Sequence, residues 1–201
     1  FFNKDITPYA IQRDNNILKL CKKYKIDCFC SFNEYYLSTP GTVVTGSGSP
    51  YQKFTPYYNK VLDTVEIQIP KILKKFKFNN SCIGNIELQH IYNDFITFNK
   101  NKIVEGGRSK ALLILENLKN HNEYGEDRDY LHKHTTLLSA YLKFGNISIR
   151  EVFYRIKKLF GVNHDLIKQF IWRDFYAQLL YCFPHVLGNA LKEKYNMIEW
   201  E

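Results

Sequence analysis

Residues 135–152 read TTLLSAYLKFGNISIREV, and this stretch decides how the second half of the chain folds. Ser148, followed three positions later by Glu151, matches a capping box, in which two side chains satisfy free N–H groups at a helix start. Gly161 is the residue type that commonly ends a helix. Between them apolar residues recur at helical spacing, namely Val152, Phe153, Ile156, Leu159 and Phe160. The stretch therefore predicts an amphipathic helix that ends at Gly161.

Helical patterns continue on both sides of this stretch. Gly106 and Gly107 precede a segment whose apolar residues form one stripe, namely Ala111, Leu112, Leu115 and Leu118. Residues 166–180 are predicted to form another helix, which ends before Pro184. From about residue 106 onward the chain is therefore predicted to be all α-helical.

The first third of the chain has the pattern of an α/β unit instead. Residues 1–2 are interpreted as the end of a strand, and Thr7 with Pro8 is a favourable helix start. Further strands are predicted over residues 27–32 and 42–45. The order strand, helix, strand favours a parallel sheet whose other strands lie upstream.

Residues 46–105 are predicted to be mostly connection between these two parts. The sequence GSGSP at 46–50 is rich in turn residues and lacks the Gly-Lys-Ser/Thr ending of a phosphate-binding loop. Residues 71–78 read KILKKFKF, which is interpreted as a solvated linker face or, alternatively, as a contact for nucleic acid.

Composition excludes several classes of protein. The 201 residues are 45% hydrophobic and 24% charged, as in ordinary globular proteins, which excludes wholesale disorder. No run of about 18 uncharged apolar residues occurs, so no membrane span is predicted. Because the first residue is Phe1, the chain is interpreted as a piece of a longer protein. The formal net charge of +8 favours polyanionic partners, although an AT-rich genome also produces an excess of lysine.

The five cysteines indicate a reducing environment. Their odd number, with only Cys28 and Cys30 close together, fits neither a disulfide framework nor a zinc ribbon. They are interpreted as small apolar residues, and the segment around Cys28 and Cys30 as a buried strand. An intracellular location follows, with the choice between nucleus and cytoplasm left open. His132 and His134 lack a third ligand at useful spacing, so no metal site is predicted.

Three segments together resemble one family. They read YGEDRD at 124–129, TTLLSAYLKFGNISIREV at 135–152 and QFIWRDFY at 169–176, and in order and spacing they are similar to the flavin-binding domain of the DNA photolyase/cryptochrome family. The resemblance extends upstream to DITPYAIQRD at 5–14 and YQKFTPY at 51–57, which resemble the end of that family's light-harvesting domain. It implies a chain truncated at both ends relative to the family.

The resemblance also implies a domain organisation. Residues 1–60 are expected to be the C-terminal part of a Rossmann-like α/β antenna domain, and residues 61–105 an interdomain linker. Residues 106–201 are expected to be the first half of a helical FAD-binding domain. The fold class predicted for the chain is therefore α/β followed by all-α.

The same resemblance assigns FAD as the cofactor and names the residues that hold it. The expected cofactor residues are Tyr124, Thr135, Thr136, Leu137, Leu138 and Ser139. Hydroxyl groups and backbone N–H groups at a helix start suit a pyrophosphate. Taken without the flanking motifs, the same Thr/Ser cluster is better explained as an ordinary helix cap. A second, antenna chromophore is left open, because Tyr9 and Ala10 replace the Asn-Glu pair of folate-binding members.

UV-damaged DNA is the partner that the resemblance implies. Arg128 and Arg173 match positions that face DNA, the alternative being solvated surface arginines. Trp172 matches the aromatic wall for an extruded pyrimidine dimer, the alternative being a core tryptophan. Gln169 stands where photolyases acting on cyclobutane dimers usually carry Glu, which leaves open the choice between cyclobutane dimers and (6-4) photoproducts. Tyr176 completes the set of expected DNA and lesion contacts.

The predicted function is light-dependent repair of pyrimidine dimers through electron transfer from FAD, with no catalytic side chain. Two alternatives are a cryptochrome-like photoreceptor that does not repair DNA, and a non-catalytic remnant or subunit of a split photolyase that needs a second polypeptide. The chain alone is expected to be inactive and to bind FAD weakly. An exposed apolar patch is expected at Phe153, Phe160, Phe170 and Phe175.

Overall fold

The computed structural model describes residues 1–32, 35–70, 88–97 and 99–199. Most of this chain is helical, with one small parallel sheet near the N-terminus. The strands and helices are β1 (Phe2–Asn3), α1 (Pro8–Lys23), β2 (Cys30–Ser31), α2 (Phe54–Thr64), α3 (Leu88–Phe95), α4 (Arg108–Glu116), α5 (Tyr124–Asp127), α6 (Leu138–Lys143), α7 (Ile149–Phe160) and α8 (Asp165–Cys182). Short 3₁₀ turns lie at Leu118–His121, Pro184–Val186 and Glu193–Tyr195.

The N-terminal region, residues 1–50, begins with the predicted strand–helix–strand unit. β1 pairs in parallel with β2, with Phe2 opposite Cys30. Helix α1 connects them, and its first turn is capped by the Thr7 hydroxyl, which accepts a hydrogen bond from the Ala10 N–H at 3.4 Å. The prediction of a parallel α/β unit is confirmed for these elements.

Two predicted strands differ from the structure. The strand expected over residues 27–32 is only Cys30–Ser31, because β1 offers it two residues to pair with, and Phe29 is 59% exposed rather than buried. No strand forms over residues 42–45, which lie wholly within the described chain. There Val44 makes one isolated antiparallel bridge to Pro50, because the chain turns back on itself and the Thr45 N–H bonds to the Ser49 carbonyl at 2.8 Å.

Two helices lie within the described part of residues 46–105, which were predicted to be mostly connection, and one of them contributes to the core. Helix α2 occupies part of this segment and buries Phe54, Tyr57 and Val61. Pro56 argues against a helix in the sequence, because proline has no backbone N–H. Here it stands in the first turn, where the backbone N–H groups have no intrahelical acceptor, so no bond is lost. Helix α3 adds a second exception, and the basic run 71–78 lies outside the described residues.

Helices α2, α4, α6, α7 and α8 share the main hydrophobic core. The Ser148 cap and the terminal glycine predicted for α7 are present: the Ser148 hydroxyl accepts from the Arg150 N–H at 3.3 Å, and Gly161 has φ of 90°. The Glu151 carboxylate, the expected second half of a capping box, accepts hydrogen bonds from Arg108 at 3.0 Å. The most deeply buried apolar residues of this core are Tyr57, Val61, Ala111, Leu118, Ile149, Val152, Ile156, Ile167 and Ile171.

The expected exposed patch of phenylalanines is not present. Phe153, Phe170 and Phe175 are 3%, 8% and 4% exposed, and Phe160 packs half-buried against the same core. The reason is that α2, α7 and α8 cover one another: Phe175 lies against both Phe54 and Tyr57. The prediction that these side chains would be left uncovered is therefore wrong.

Candidate functional site

A pocket of about 330 Å³ lies where α6, α8 and the segments before them meet. It is lined by all six residues that the sequence assigned to the cofactor, together with two residues assigned to the lesion. These are Tyr124, Thr135, Thr136, Leu137, Leu138, Ser139, Gln169 and Arg173. Residues from all three quoted segments thus converge on one cavity whose size suits part of a dinucleotide.

The start of α6 gives the pocket its hydroxyl-bearing wall. Leu137 occupies the N-cap position with φ of 52°, a left-handed conformation that costs a non-glycine residue about 1–2 kcal/mol. Just before it, the Thr136 hydroxyl is buried and accepts the Leu138 N–H at 3.5 Å. Retained strain of this kind is found where a local conformation serves a site.

Two cations, Arg173 of α8 and Lys143 of α6, also line this pocket. The Arg173 guanidinium lies 4.9 Å from the centre of the Tyr35 ring, and the Lys143 ammonium lies 5.7 Å from the same ring. All three side chains line the cavity. The Arg173 Nε is buried and has no acceptor within the part of the chain that the structure describes. The hydroxyls and the two cations that line this cavity form a set of donors suited to an anion.

Tyr124 and Arg128 come from the same short helical segment but occupy different surroundings. Tyr124 is half-buried, and this burial raises the pKa of its hydroxyl, while the charge of Arg128 acts in the opposite direction. Arg128 itself is exposed, with its Nε 3.6 Å from the Asp129 carboxylate. It does not line the pocket.

Trp172 and Tyr176 also lie outside the pocket. The Trp172 ring stacks on Phe54 with centroids 3.6 Å apart and an interplanar angle of 5°. Tyr176, one helical turn later, stacks beside Trp172 at 5.5 Å and is 62% exposed. The structure therefore divides the predicted lesion contacts, with Gln169 and Arg173 in the cavity and Trp172 and Tyr176 in an aromatic stack.

Asp174, which the sequence did not single out, joins α8 to the N-terminal region. Its buried carboxylate accepts the backbone N–H groups of Leu37 at 2.8 Å and Ser38 at 2.9 Å. Burial raises the pKa of Asp174 to about 6, although Arg173 and the two N–H groups favour the charged form. Asp174 stands inside the quoted segment 169–176, so the motif contained the residue but did not indicate its role.

Tyr35 was also missed, because it belongs to no recognisable motif and reaches the pocket only through the tertiary fold. Lys143 was quoted within residues 135–152 without a role. Among the described residues no group of three or more His, Cys, Asp or Glu side chains is placed to hold a metal ion. No described helix is long and apolar enough to cross a membrane.

Comparisons with known proteins agree with this fold. A family model described as DNA photolyase matches residues 1–74. A deoxyribodipyrimidine photo-lyase of Buchnera aphidicola subsp. Baizongia pistaciae is 31% identical over 219 residues, covering 100% of this chain and 44% of that protein. A (6-4) DNA photolyase of Oryza sativa subsp. japonica is 23% identical, covering 94% of this chain and 38% of that protein.

Two solved structures that are similar to this chain are also photolyases. The archaeal photolyase of Sulfolobus tokodaii, crystallised with two FAD molecules, is 29% identical with a TM-score of 0.73, and the match covers 99% of this chain and 42% of that one. A class III photolyase of Agrobacterium tumefaciens shares the fold at a TM-score of 0.80 and 22% identity, covering 99% of this chain and 44% of that one. The chain thus spans less than half the length of these relatives. Along its whole length the chain is similar to members of the DNA photolyase family.

Proposed function

We propose that the pocket between α6 and α8 binds FAD, and that the chain forms part of a photolyase that repairs UV-induced pyrimidine dimers in DNA. One observation supports this most directly: the six residues assigned to the cofactor meet Gln169 and Arg173 in one cavity. The Sulfolobus tokodaii photolyase, which shares this fold, was crystallised with two FAD molecules, and this supports the same choice of cofactor.

The residues present suit the pyrophosphate of a dinucleotide. Thr135, Thr136 and Ser139 offer hydroxyl donors, and Arg173 and Lys143 offer positive charge in the same cavity. Arginine is well suited to phosphate oxygens because its planar guanidinium carries five N–H donors. The Nε of Arg173 is a buried donor without an acceptor among the described residues, which is the kind of unsatisfied group that a bound anion would complete.

When bound, the flavin supplies the light absorption and the single electron that break the bonds of a pyrimidine dimer. The chain's own side chains bind and orient, and none of them acts as a nucleophile. Gln169 can both donate and accept hydrogen bonds at the edge of a damaged base, but it cannot ionise. The proposal covers cyclobutane dimers and (6-4) photoproducts alike.

A second candidate function is an FAD photoreceptor that does not repair DNA, and the packing of Trp172 favours it. Phe54 already covers one face of the Trp172 ring, at a centroid distance of 3.6 Å. A wall for an extruded lesion needs an open aromatic face. Preference for UV-irradiated over undamaged DNA, lost in Trp172→Ala, would favour repair; equal binding of both would favour the photoreceptor.

The test of cofactor binding compares two double variants. Thr135→Val with Ser139→Ala removes two hydroxyls of the pocket, and Ser47→Ala with Thr55→Val removes two exposed hydroxyls elsewhere. Binding of FAD is measured by quenching of flavin fluorescence up to high micromolar concentrations. We expect saturable binding that weakens about ten-fold or more in the pocket variant. The control is expected to match the wild type, and absence of saturable binding contradicts the proposal.

A further inference from the structure

The wall of the pocket that includes Tyr35 comes from the N-terminal region, and it is fixed by contacts to one helix. Asp174 of α8 is almost fully buried and accepts hydrogen bonds from the Leu37 and Ser38 N–H groups at 2.8 and 2.9 Å. The Ser38 hydroxyl lies 3.4 Å from the same carboxylate oxygen. The Ser38 and Asp174 partners stand 136 positions apart in the sequence, so these bonds are a tertiary connection and not a local turn.

Arg173 extends the same connection into the pocket. Its Nη2 donates to the backbone carbonyl of Tyr35 and lies 3.3 Å from the other carboxylate oxygen of Asp174. Its guanidinium also lies 4.9 Å from the ring of Tyr35 and 5.5 Å from that of Tyr36. Because Tyr35 and Arg173 both line the cavity, whatever fixes residues 35–38 against α8 also fixes this wall.

We propose that Asp174 is a positioning residue for the pocket: it holds residues 35–38 against α8, so that Tyr35 and Arg173 together close one side of the cavity. The identity of the occupant rests on the proposed function, whereas the wall itself does not. Asp174 does not line the pocket, so it acts through the two residues that do.

The chemistry of the bonds explains why a carboxylate is required. An ionised carboxylate only accepts hydrogen bonds, and one of its oxygens faces two N–H groups while the other faces Arg173. An asparagine of the same shape must turn an NH₂ group toward one of these donors. Asp174→Asn therefore weakens the connection without leaving a cavity.

Gln178 offers a matched control on the same helix. It lies one turn after Asp174, is fully buried, and donates to the Val43 carbonyl at 2.7 Å. It therefore also joins α8 to the N-terminal region, but neither Gln178 nor Val43 lines the pocket. Gln178→Ala removes a buried connection and leaves the Tyr35 wall in place.

The experiment measures two quantities on the whole chain, at a low temperature where circular dichroism shows each variant to be folded. The first is the dissociation constant for FAD, and the second is the amide hydrogen exchange of Leu37 and Ser38. For Asp174→Asn we expect FAD binding about ten-fold weaker and exchange at both amides at least about ten-fold faster. For Gln178→Ala we expect a lower melting temperature with FAD affinity within about two-fold of the wild type.

Each other outcome decides against the proposal. Equal losses of FAD affinity in both variants would show that Asp174 acts only through general stability. Faster amide exchange at Leu37 and Ser38 with unchanged FAD affinity would show that the position of this wall does not affect FAD binding. If the wild type binds no FAD, the proposed function fails, and amide exchange alone then tests the positioning role. Unchanged protection of the Leu37 and Ser38 amides in Asp174→Asn overturns that role.

Discussion

Apolar side chains are buried in the helical region but exposed beside the two-stranded sheet. In α7 and α8, Val152, Ile156 and Ile167 have no exposed surface, whereas Phe29 beside the sheet is 59% exposed. A helix satisfies its own backbone and needs only neighbouring helices to bury one stripe. A strand needs partners along its edges and over its faces, and two strands of two residues provide little of either.

Where the two regions meet, buried polar residues stand among the buried apolar ones. Ser38, Asp174 and Gln178 are all almost fully buried, and each forms a hydrogen bond across this boundary or beside it. The contact between the regions thus combines a few directional hydrogen bonds with apolar packing, whereas the helical core is stabilised by buried apolar area. The difference predicts which substitutions are costly.

The largest expected effect comes from the helical core. Ile156→Ala should lower the free energy of unfolding by about 3–5 kcal/mol, because Ile156 is fully buried in the large core and its removal leaves a cavity. Ile6→Ala should cost about 2 kcal/mol or less, because Ile6 packs in a small cluster with Tyr36 and Ala177 that can relax. Urea unfolding of both variants measures the difference. Equal losses would mean that the two regions are packed alike.

The same contrast explains what the sequence could and could not predict. Helix α7 was predicted because its capping box, its apolar stripe and Gly161 are local signals. Residues 42–45 favour a strand by composition, but the Val43 carbonyl pairs with the side chain of Gln178 and not with another strand. That choice depends on α8, which lies far away in the sequence, so no local pattern could reveal it.

The pocket shows the same limit. The cofactor residues 135–139 were predicted together because one continuous motif carries them to one place. Tyr35 and Asp174 reach the site through contacts between the two regions, and neither spacing nor composition indicates such contacts. For Trp172 the sequence left two alternatives open, and the stack on Phe54 is a packing detail that only the fold provides.

The next largest effect concerns pH and the boundary between the regions. The pKa of Asp174 is raised to about 6 from an ordinary value of 3.8, so between these pH values the folded chain holds a proton that the unfolded chain has released. The free energy of unfolding should therefore fall as pH rises from about 4 to about 6, by about 3 kcal/mol at most from this group. The Tyr36 and Tyr57 hydroxyls also lie near this boundary, and burial raises the pKa of both above the ordinary tyrosine value. Neither hydroxyl therefore contributes to the change between about pH 4 and about pH 6.

This pH dependence is tested by urea unfolding between about pH 4 and 8, which spans the pKa of the folded state. Asp174→Asn should flatten the curve below about pH 6, because the substituted side chain cannot ionise. Asp129→Asn, which changes an exposed carboxyl, should leave the shape of the curve as in the wild type. A wild-type curve that rises with pH over the same interval would mean that the two N–H groups and Arg173 outweigh burial.

The smallest expected effect on stability, and the most informative for DNA, comes from comparing charges in the two regions. Arg128→Ala in the helical region should reduce the slope of log affinity against log salt by about 0.9 for nonspecific duplex DNA, if Arg128 contacts one phosphate. Its free energy of unfolding should change by less than about 0.5 kcal/mol, because Arg128 is exposed. Lys19→Ala removes the same charge from the exposed surface of α1 and should leave the slope unchanged.

Arg173 provides a second test of the DNA contact, because it carries the same charge as Arg128 but is bonded to Tyr35 and Asp174 instead of being exposed. A double variant of Arg128→Ala with Arg173→Ala should reduce the slope by about 1.8 only if Arg173 also reaches a phosphate. Because Arg173 is bonded to Tyr35 and Asp174, we expect that variant to lose stability while its slope stays near the value for Arg128→Ala alone. Equal slopes for Arg128→Ala and Lys19→Ala would show that DNA responds to the net charge of the chain and not to a defined face of the helical region.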